Sequence, residues 1–344
     1  MSIHQLAQDL GLSISTVSRA LNGYTDVATQ TRERVMQRAA ELGYKAHAGA
    51  RSLKSGKSHS VGVILPTDGQ SGQFISGLYS QLLGGIAAAI DGADYSLFAT
   101  TQLNASIDSE LRHYESLIRS RWVDAYVVVR TLIHDPRVRL LQERGIPFVT
   151  YGRSQLAQDH PWVDTDNEGA FLISAQRLID LGHRKIALLN GTQGYTFAAL
   201  RQSGYQRAMR DNGINVRPEW IVHGGLTEAA GHSLALQVLQ LPKDERPTAL
   251  LCATDAMAIG AIAACRQMGL QVGSEISIIG YGDSEAARYC EPALTTVGHQ
   301  IFENGRHIGQ LLLELLGNQP LTRTHYLEPV VVVPRASDGP CPTA

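Results

Sequence analysis

The strongest constraint on the fold lies in residues 61–281, where short apolar runs alternate with amphipathic stretches and the alternation occurs twice. The first round runs from VGVILP through GLYSQLLGGIAAAIDG and YSLFAT to AYVVVR and PFVTY, with helical stretches at 108–120 and 136–144. Leu78, Leu82 and Ile86 recur at the spacing of one helix face. Strands that are apolar on both faces belong inside a parallel sheet whose crossover helices cover both sides. The second round comes after Trp162. Helices expected at 168–181, 200–212, 227–239 and 257–268 precede KIALLNG, WIVHGG, TALLCAT and EISIIGYG. The expectation is two doubly wound α/β lobes of similar size.

The last segment carries LTTVGH, a helical pattern at 302–316 and then YLEPVVVVP. It predicts a chain that crosses back, so that each lobe borrows from it: 61–161 with 293–321, and 162–292 with 322–334. RASDGPCPTA reads as a frayed end, flexible at 337–344. Two lobes joined by several crossings enclose a cleft, and ligands bind outside the carboxyl ends of such strands.

A different grammar comes first, in SIHQLAQDLGLSISTVSRALNGY. Leu6, Ala7 and Leu10 give one short helix an apolar face. Gly11 suits a tight turn, and Ser13 can cap a second helix at 14–21. That helix turns Val17 and Ala20 or Leu21 inward and keeps Ser15, Thr16, Ser18 and Arg19 outward. This is the pattern of a helix-turn-helix, whose second helix fits the major groove of DNA. A third helix, 29–42 ended by Gly43, closes the module with Val35, Ala39 and Leu42. Residues 1–44 form this headpiece. Residues 45–60 are basic and poor in core residues, a linker in which 48–53 can form a short hinge helix when DNA or a partner copy supports it.

Charge separates along the chain. The net charge is -2, yet residues 1–60 hold eight basic residues against four acidic ones. A small basic module on a mildly acidic body suits a local phosphate-binding face. The four cysteines, Cys252, Cys265, Cys290 and Cys341, lack metal-ligand spacing, and buried thiols are expected for Cys252 and Cys265. No secretory pattern and no long apolar run occurs, which predicts a cytoplasmic protein. No G-x-G-x-x-G opens the first βα unit, no phosphate-binding P-loop is present, and the carboxylates are scattered. An enzyme is therefore disfavoured, and no metal or cofactor is called for. An exported sugar-binding protein would not carry the basic headpiece.

Residues 2–24 resemble the N-terminus of the lactose-repressor/galactose-repressor (LacI/GalR) family of bacterial transcription factors. Ser13, Thr16-Val17-Ser18-Arg19 and Leu21-Asn22 match its helix-turn-helix. Thr31-Arg32 with Val35, and Leu42-Gly43-Tyr44, match its third helix and the segment after that helix. Ala50-Arg51-Ser52-Leu53 matches its hinge helix. Gly182-His183-Arg184-Lys185-Ile186-Ala187, Arg201 with Gly204-Tyr205, Asp255 with Ala258 and Gly260, Ile279-Gly280-Tyr281 and Pro292-Ala293-Leu294-Thr295-Thr296-Val297 match its effector domain. The resemblance implies a homodimeric repressor with a periplasmic-binding-protein-like effector and dimerisation domain over 61–336. An effector in the cleft would alter the spacing of two headpieces on a pseudo-palindromic operator. Family tetramers add a C-terminal helical segment, so a dimer is expected here.

The resemblance also carries site residues. Arg19 is the expected base contact, able to grip guanine O6 and N7. Ile14 and Ser15 occupy the positions that vary with operator. Thr16, Ser18 and Asn22 are expected at phosphates or base edges, with Ser2, Tyr24 and Thr31 at phosphates. Leu53 corresponds to the minor-groove wedge, held by Arg51. Ala46-His47 replaces the usual Pro-Asn before the hinge, which leaves that helix start less pre-organised. In the cleft, Arg201 is the expected effector grip, and Asp255 either binds effector or caps a helix. Asp166 and Asn167 sit at an expected crossover. Gly282, followed by Asp283, stands where many relatives have an aspartate, and Arg153 stands where several have another, which predicts a more cationic pocket. Phe74, Tyr195, Phe197 and Trp220 are candidate stacking platforms. The run TYGR with WVDTDN is similar to the α-glucoside-responsive branch. A saccharide is the expected effector; a phosphorylated or acidic sugar, or a nucleoside or purine, also suits the scaffold.

Overall fold

A computed structural model describes residues 2–21, 24–43, 56–66, 76–102, 106–155 and 158–342. Asn22, most of the linker with Arg51 and Leu53, and Phe74 lie outside the described residues. The chain divides into two compact units, Met1–Ser58 and His59–Ala344.

The first unit holds α1 (Ile3–Leu10), α2 (Ile14–Leu21) and α3 (Thr29–Glu41). A capping box starts α1. Ser2 Oγ accepts the Gln5 N–H at 3.3 Å and Gln5 Oε1 accepts the Ser2 N–H at 2.9 Å, which satisfies two donors that the helix leaves open. Gly11 ends α1 with φ 65°, the left-handed conformation that closes the turn. Ser13 Oγ then accepts the Thr16 N–H at 3.0 Å and caps α2. Leu6, Ala7, Val17, Ala20, Val27, Val35 and Ala39 form the small core.

The second unit begins β1 (Ser60–Pro66), α4 (Ser76–Ile90), β2 (Ser96–Gln102), α5 (Ile107–Ser120), β3 (Ala125–Val129), α6 (Pro136–Glu143), β4 (Phe148–Tyr151) and β5 (Trp162–Thr165). It continues α7 (Asn167–Asp180), β6 (Ile186–Gly191), α8 (Thr196–Asp211), β7 (Ile221–Gly224), α9 (Glu228–Leu239), β8 (Ala249–Cys252), α10 (Asp255–Gln267), β9 (Ser277–Ile279) and α11 (Glu285–Tyr289). It closes with β10 (Thr296–Gly298), α12 (Ile301–Leu316), β11 (His325–Glu328) and β12 (Val331–Val333).

One parallel sheet runs β11-β5-β4-β3-β1-β2 and another runs β7-β6-β8-β9, while β10 and β12 make a separate antiparallel ladder. Successive residues of a strand serve opposite cores. Val127 and Val129 pack with Leu82, Ile86, Ile308 and Leu312, whereas Tyr126 and Val128 pack with Tyr114, Val138 and Leu141. In the second lobe Leu188 and Leu251 join Phe171, Leu178 and Tyr205, and Leu189 and Leu250 join Val238, Met257 and Ala261. Cys252 and Cys265 are buried free thiols, and burial pushes the Cys265 thiol up to about 12.

The lobe boundaries differ from the sequence expectation. β5 pairs with β4 in the first sheet, so residues 162–165 belong to the first lobe. β11 also joins that sheet, beside β5, whereas β12 pairs with β10 in the second lobe. Pro329 separates β11 from β12 within the run YLEPVVVVP. It lacks the N–H that would continue a ladder, and the chain changes lobe there. Apolar content alone could not assign the two halves of this run to different sheets.

The chain end is also packed, not frayed. Ser337 is fully buried and its Oγ accepts the Thr295 N–H at 2.8 Å. Asp338 pairs with Arg177 at 2.6 Å, and the Cys341 N–H donates to the Leu181 carbonyl at 2.8 Å. Small polar residues hold this segment through hydrogen bonds that leave no apolar period in the sequence.

Helices α4 and α12 approach so closely that a Cβ on Gly85 would lie 2.0 Å from the Phe302 carbonyl oxygen. Backbone cannot yield as a side chain does, so Gly85→Ala is expected to destabilise the unit by about 1–3 kcal/mol. Thermal unfolding followed by circular dichroism checks this; an unchanged midpoint would refute the close approach.

Candidate functional site

The outward face of α2 carries Ile14 (41% exposed), Ser15 and Arg19, with Thr16 and Ser18 half-buried and Val17 buried. Ile14 therefore is not spent on the core. Thr16 Oγ1 lies 2.8 Å from Ser13 Oγ, and Ser2 Oγ serves the α1 cap. Tyr24 is exposed on the loop after α2, and Thr31 is half-buried in the first turn of α3. The Arg19 guanidinium pairs with Asp26 and sits 5.5 Å from the Tyr24 ring centroid.

In the second unit, strands β1 and β3 end at one edge of their sheet. There Leu65, Pro66, Ile107, Glu110, Arg130, Leu132 and Tyr195 line a cavity of about 250 Å³. Tyr195 reaches it from the second lobe. The lobes meet beside it, where the Ile133 N–H donates to the Gly194 carbonyl at 3.1 Å and the Thr196 N–H to the Thr131 carbonyl at 3.0 Å. Arg130 Nη2 donates to Tyr195 Oη at 2.8 Å, and its guanidinium lies 4.5 Å from that ring centroid. Arg130 has φ 51°, a left-handed backbone that stores strain in a residue other than glycine. Its Nε is buried without a hydrogen-bond partner among the described residues.

Charge along this edge is matched. Arg137, nearly buried, donates to Glu110 at 2.8 Å, to Asp135 at 2.7 Å and to the Arg130 carbonyl at 2.9 Å. Burial alone would raise the Asp135 carboxyl, yet Arg137 holds it below its ordinary value.

A second network crosses between the lobes. Arg153 Nε donates to Asp164 at 2.9 Å, Asn167 Nδ2 to Asp164 at 3.0 Å, Arg201 Nε to Asn167 Oδ1 at 2.8 Å, and Arg201 Nη1 to the Ala253 carbonyl at 2.5 Å. The Arg201 guanidinium carbon is 4.0 Å from the Tyr281 ring centroid and 4.8 Å from that of Phe197. Burial pushes the Asp164 carboxyl up to about 6 against the pull of Arg153. Burial also lowers the Arg201 guanidinium, opposed by Tyr281. The His299 ring lies tilted against Tyr281, with centroids 4.8 Å apart, and neither of its buried ring nitrogens has a hydrogen-bond partner among the described residues. Burial, then the Arg201 charge, pushes its pKa down to about 4.

The structure gathers only part of the expected effector set. Tyr195 and Phe197 stack at 5.5 Å, and Phe197 leads on to Arg201. Arg153 does not make the pocket more cationic, because Asp164 matches its charge. Asp255 does not cap α10; Thr254 Oγ1 does, accepting the Met257 N–H at 3.2 Å. Asp255 accepts from the Ser284 N–H at 2.7 Å and from Thr296 Oγ1 at 2.5 Å, tying the start of α11 to β10. Trp220 is a correction: it is 4% exposed in the second-lobe core, donating Nε1–H to the Glu245 carbonyl at 3.0 Å. Asp283 is a correction too. Burial would raise its carboxyl, but Arg335 and Arg288 hold it down and commit both oxygens. Sequence reasoning missed Arg130, Glu110, Asp164 and His299. Arg130 had a signal, since it directly follows AYVVV at a strand's carboxyl end.

A helix-turn-helix headpiece carried with two ligand-enclosing lobes defines a ligand-responsive DNA-binding regulator. Residues 2–47 match the model for bacterial regulatory proteins of the lacI family, and residues 175–337 match that for the periplasmic binding protein-like domain. The transcriptional regulator AglR of Rhizobium meliloti (strain 1021) is 35% identical over 99% of this chain and 95% of its own length. RafR of Escherichia coli is 31% identical over 88% of this chain and 90% of its own. The lac repressor dimer bound to operator and the anti-inducer ONPF superposes with TM-score 0.81 at 26% identity, over 98% of each chain. The chain belongs to the lacI family of bacterial regulatory proteins and is a sequence-specific DNA-binding regulator. Among the described residues no cluster could hold a metal ion, and no helix is long and apolar enough to cross a membrane.

The buried histidine gives a pH signature. An unfolded histidine binds a proton near pH 6.5, whereas His299 in the folded chain does so only near about 4. Its contribution to stability is complete above the unfolded value and is lost as pH falls through it. Asp164, raised to about 6, works in the opposite sense, its contribution lost as pH rises through that value. In His299→Gln the loss of thermal stability between about pH 7 and about pH 5 is expected to shrink. An equal loss in wild type and variant would show that His299 is not held neutral.

Proposed function

We propose that this protein is a cytoplasmic, homodimeric repressor whose operator affinity changes when a saccharide occupies the inter-lobe cleft. The observation that carries the effector class is Arg130, with an Nε that has no partner among the described residues, a strained backbone and stacking on Tyr195. A sugar offers hydroxyl acceptors for that donor and a CH-rich face for the Tyr195–Phe197 ledge. Glu110 and Asp135 against Arg137 and Arg130 leave this edge without net charge, which favours a neutral ligand over a charged one. Arg201 serves as a second anchor at the far end of the ledge, while Arg153 and Asp255 support the walls. The regulator CelR, solved as a complex with cellobiose, is similar at TM-score 0.74 and 26% identity, which supports the same ligand class. On the headpiece, Arg19 reads a guanine, and Ile14 and Ser15 supply the operator-specific contacts. Thr16 and Ser18 meet phosphates or base edges, and Ser2, Tyr24 and Thr31 meet phosphates.

Thermal-shift screening of the full chain against α- and β-linked disaccharides, hexose phosphates and purines tests the reading. A neutral disaccharide at a hundredfold excess over its Kd is expected to add about 2.7 kcal/mol of stability. Arg130→Met and Tyr195→Ala should each remove most of that gain. A response to purines or hexose phosphates alone, or a sugar response untouched by both substitutions, would overturn it.

A further inference from the structure

We propose that Asp26 fixes how Arg19 reads DNA: its carboxylate holds one edge of the guanidinium and leaves the opposite edge presented to a guanine. This rests on Arg19 being the base-reading residue. Arg19 donates from Nε to Asp26 Oδ1 at 3.3 Å and from Nη2 to Asp26 Oδ2. A guanidinium has five N–H donors in a rigid planar fork. The carboxylate takes Nε–H and one hydrogen of Nη2. The forward edge keeps a parallel pair of donors, one on Nη1 and one on Nη2, and that pair matches guanine O6 and N7.

An exposed ion pair by itself means little, because two mobile side chains gain little from meeting in water. This carboxylate is not mobile in that sense. Arg32 reaches from α3 and donates Nη2–H to the Tyr24 carbonyl at 2.8 Å and to the Val27 carbonyl at 3.3 Å, gripping the loop on both sides of Asp26. Val27 then anchors the loop in the three-helix core. The ring of Tyr24 lies 5.5 Å from the guanidinium. Both partners remain about half exposed, at 49% and 48%, and neither hydrogen bond to Asp26 uses Nη1, which leaves that nitrogen for a base. A lone carboxylate beside a DNA-facing helix would repel phosphates; paired to Arg19 it orients a reader instead. The carboxylate acts through Arg19 and is a positioning residue for specificity.

Full-length wild type, Arg19→Ala, Asp26→Asn, Asp26→Ser and Asp26→Glu are each used to select from a library of randomised duplex DNA, and the enriched duplexes are remeasured at two salt concentrations. Wild type is expected to enrich a guanine at one fixed position of each half-site, and Arg19→Ala to erase that preference. Asp26→Asn and Asp26→Ser should still bind DNA, but discriminate against the other bases at that same position about tenfold less well. Asp26→Glu should recover part of the discrimination. Headpiece helicity by circular dichroism confirms folding, and Ser, smaller than Asn, serves if the amide perturbs the loop. If both neutral variants keep the guanine preference and only bind all duplexes more tightly with a changed salt slope, Asp26 is a phosphate repellent and the proposal fails alone. If Arg19→Ala leaves every base preference intact, the reading of Arg19 fails and the proposal falls with it.

Discussion

The relation between the lobes depends on a buried polar chain: Arg153, Asp164, Asn167, Arg201 and the Ala253 carbonyl. It begins in the first lobe and ends on the last residues before α10 in the second. Charges removed from water survive only when paired and hydrogen-bonded, and removing one partner costs about 3–5 kcal/mol. Asn167 is the centre of the chain because an amide can donate to Asp164 while accepting from Arg201. A carboxylate at that position could not donate, and an alkyl side chain could do neither. The chain thus sets one arrangement of the lobes. Movements that preserve it must turn about the strands where the polypeptide crosses, near 165–166, 298–300 and 329, because sliding would leave a buried guanidinium unpartnered.

The cleft edge obeys the same constraint with a different result. Arg137 is satisfied by Glu110, Asp135 and a carbonyl, so it is a fixed element of the wall. Arg130, immediately after β3, is held from one side only, by Tyr195 of the opposite lobe. A ligand that engages Arg130 therefore acts on a contact spanning both lobes. On the proposed reading, effector binding and lobe closure become one event in physical terms, since the residue assigned to the ligand also bridges the gap.

Much of the architecture was legible in the sequence because it rests on periodic burial. The paired alternation of apolar runs and helices predicts both sheets, and the cap at Ser13 with the turn at Gly11 predicts the headpiece helices, whereas sequence reasoning places Ser2 at a phosphate and misses its capping box. Where the sequence misled, the determinants were not periodic. Pro329 splits one apolar run between two sheets. Ser337 and Asp338 dock a chain end through hydrogen bonds rather than apolar area. Trp220 resembles a stacking platform in composition but fills the second-lobe core, because its indole N–H finds the Glu245 carbonyl there. Arg153 looks like an added cation until Asp164, eleven residues on, is seen to face it. Charge compensation across a fold leaves no local trace.

One device recurs at the arginines of the headpiece and the cleft. Asp26 takes the Nε of Arg19, Asp135 that of Arg137, Asp164 that of Arg153 and Asn167 that of Arg201. Gripping a guanidinium at Nε stops rotation about its stem, so little side-chain entropy remains to be lost when a terminal nitrogen meets a partner. Arginine and not lysine is needed for this, because an ammonium has no second edge to hold. On that logic Arg130 is the informative departure among the cleft arginines, since its Nε, the donor gripped in the others, has no hydrogen-bond partner among the described residues. A side chain already gripped at Nε can present only its terminal nitrogens. Arg130 instead has Nη2 committed to Tyr195 Oη and Nε uncommitted among the described residues, so on the proposed reading a ligand hydroxyl oxygen accepts the Nε–H directly beside the contact that joins the lobes.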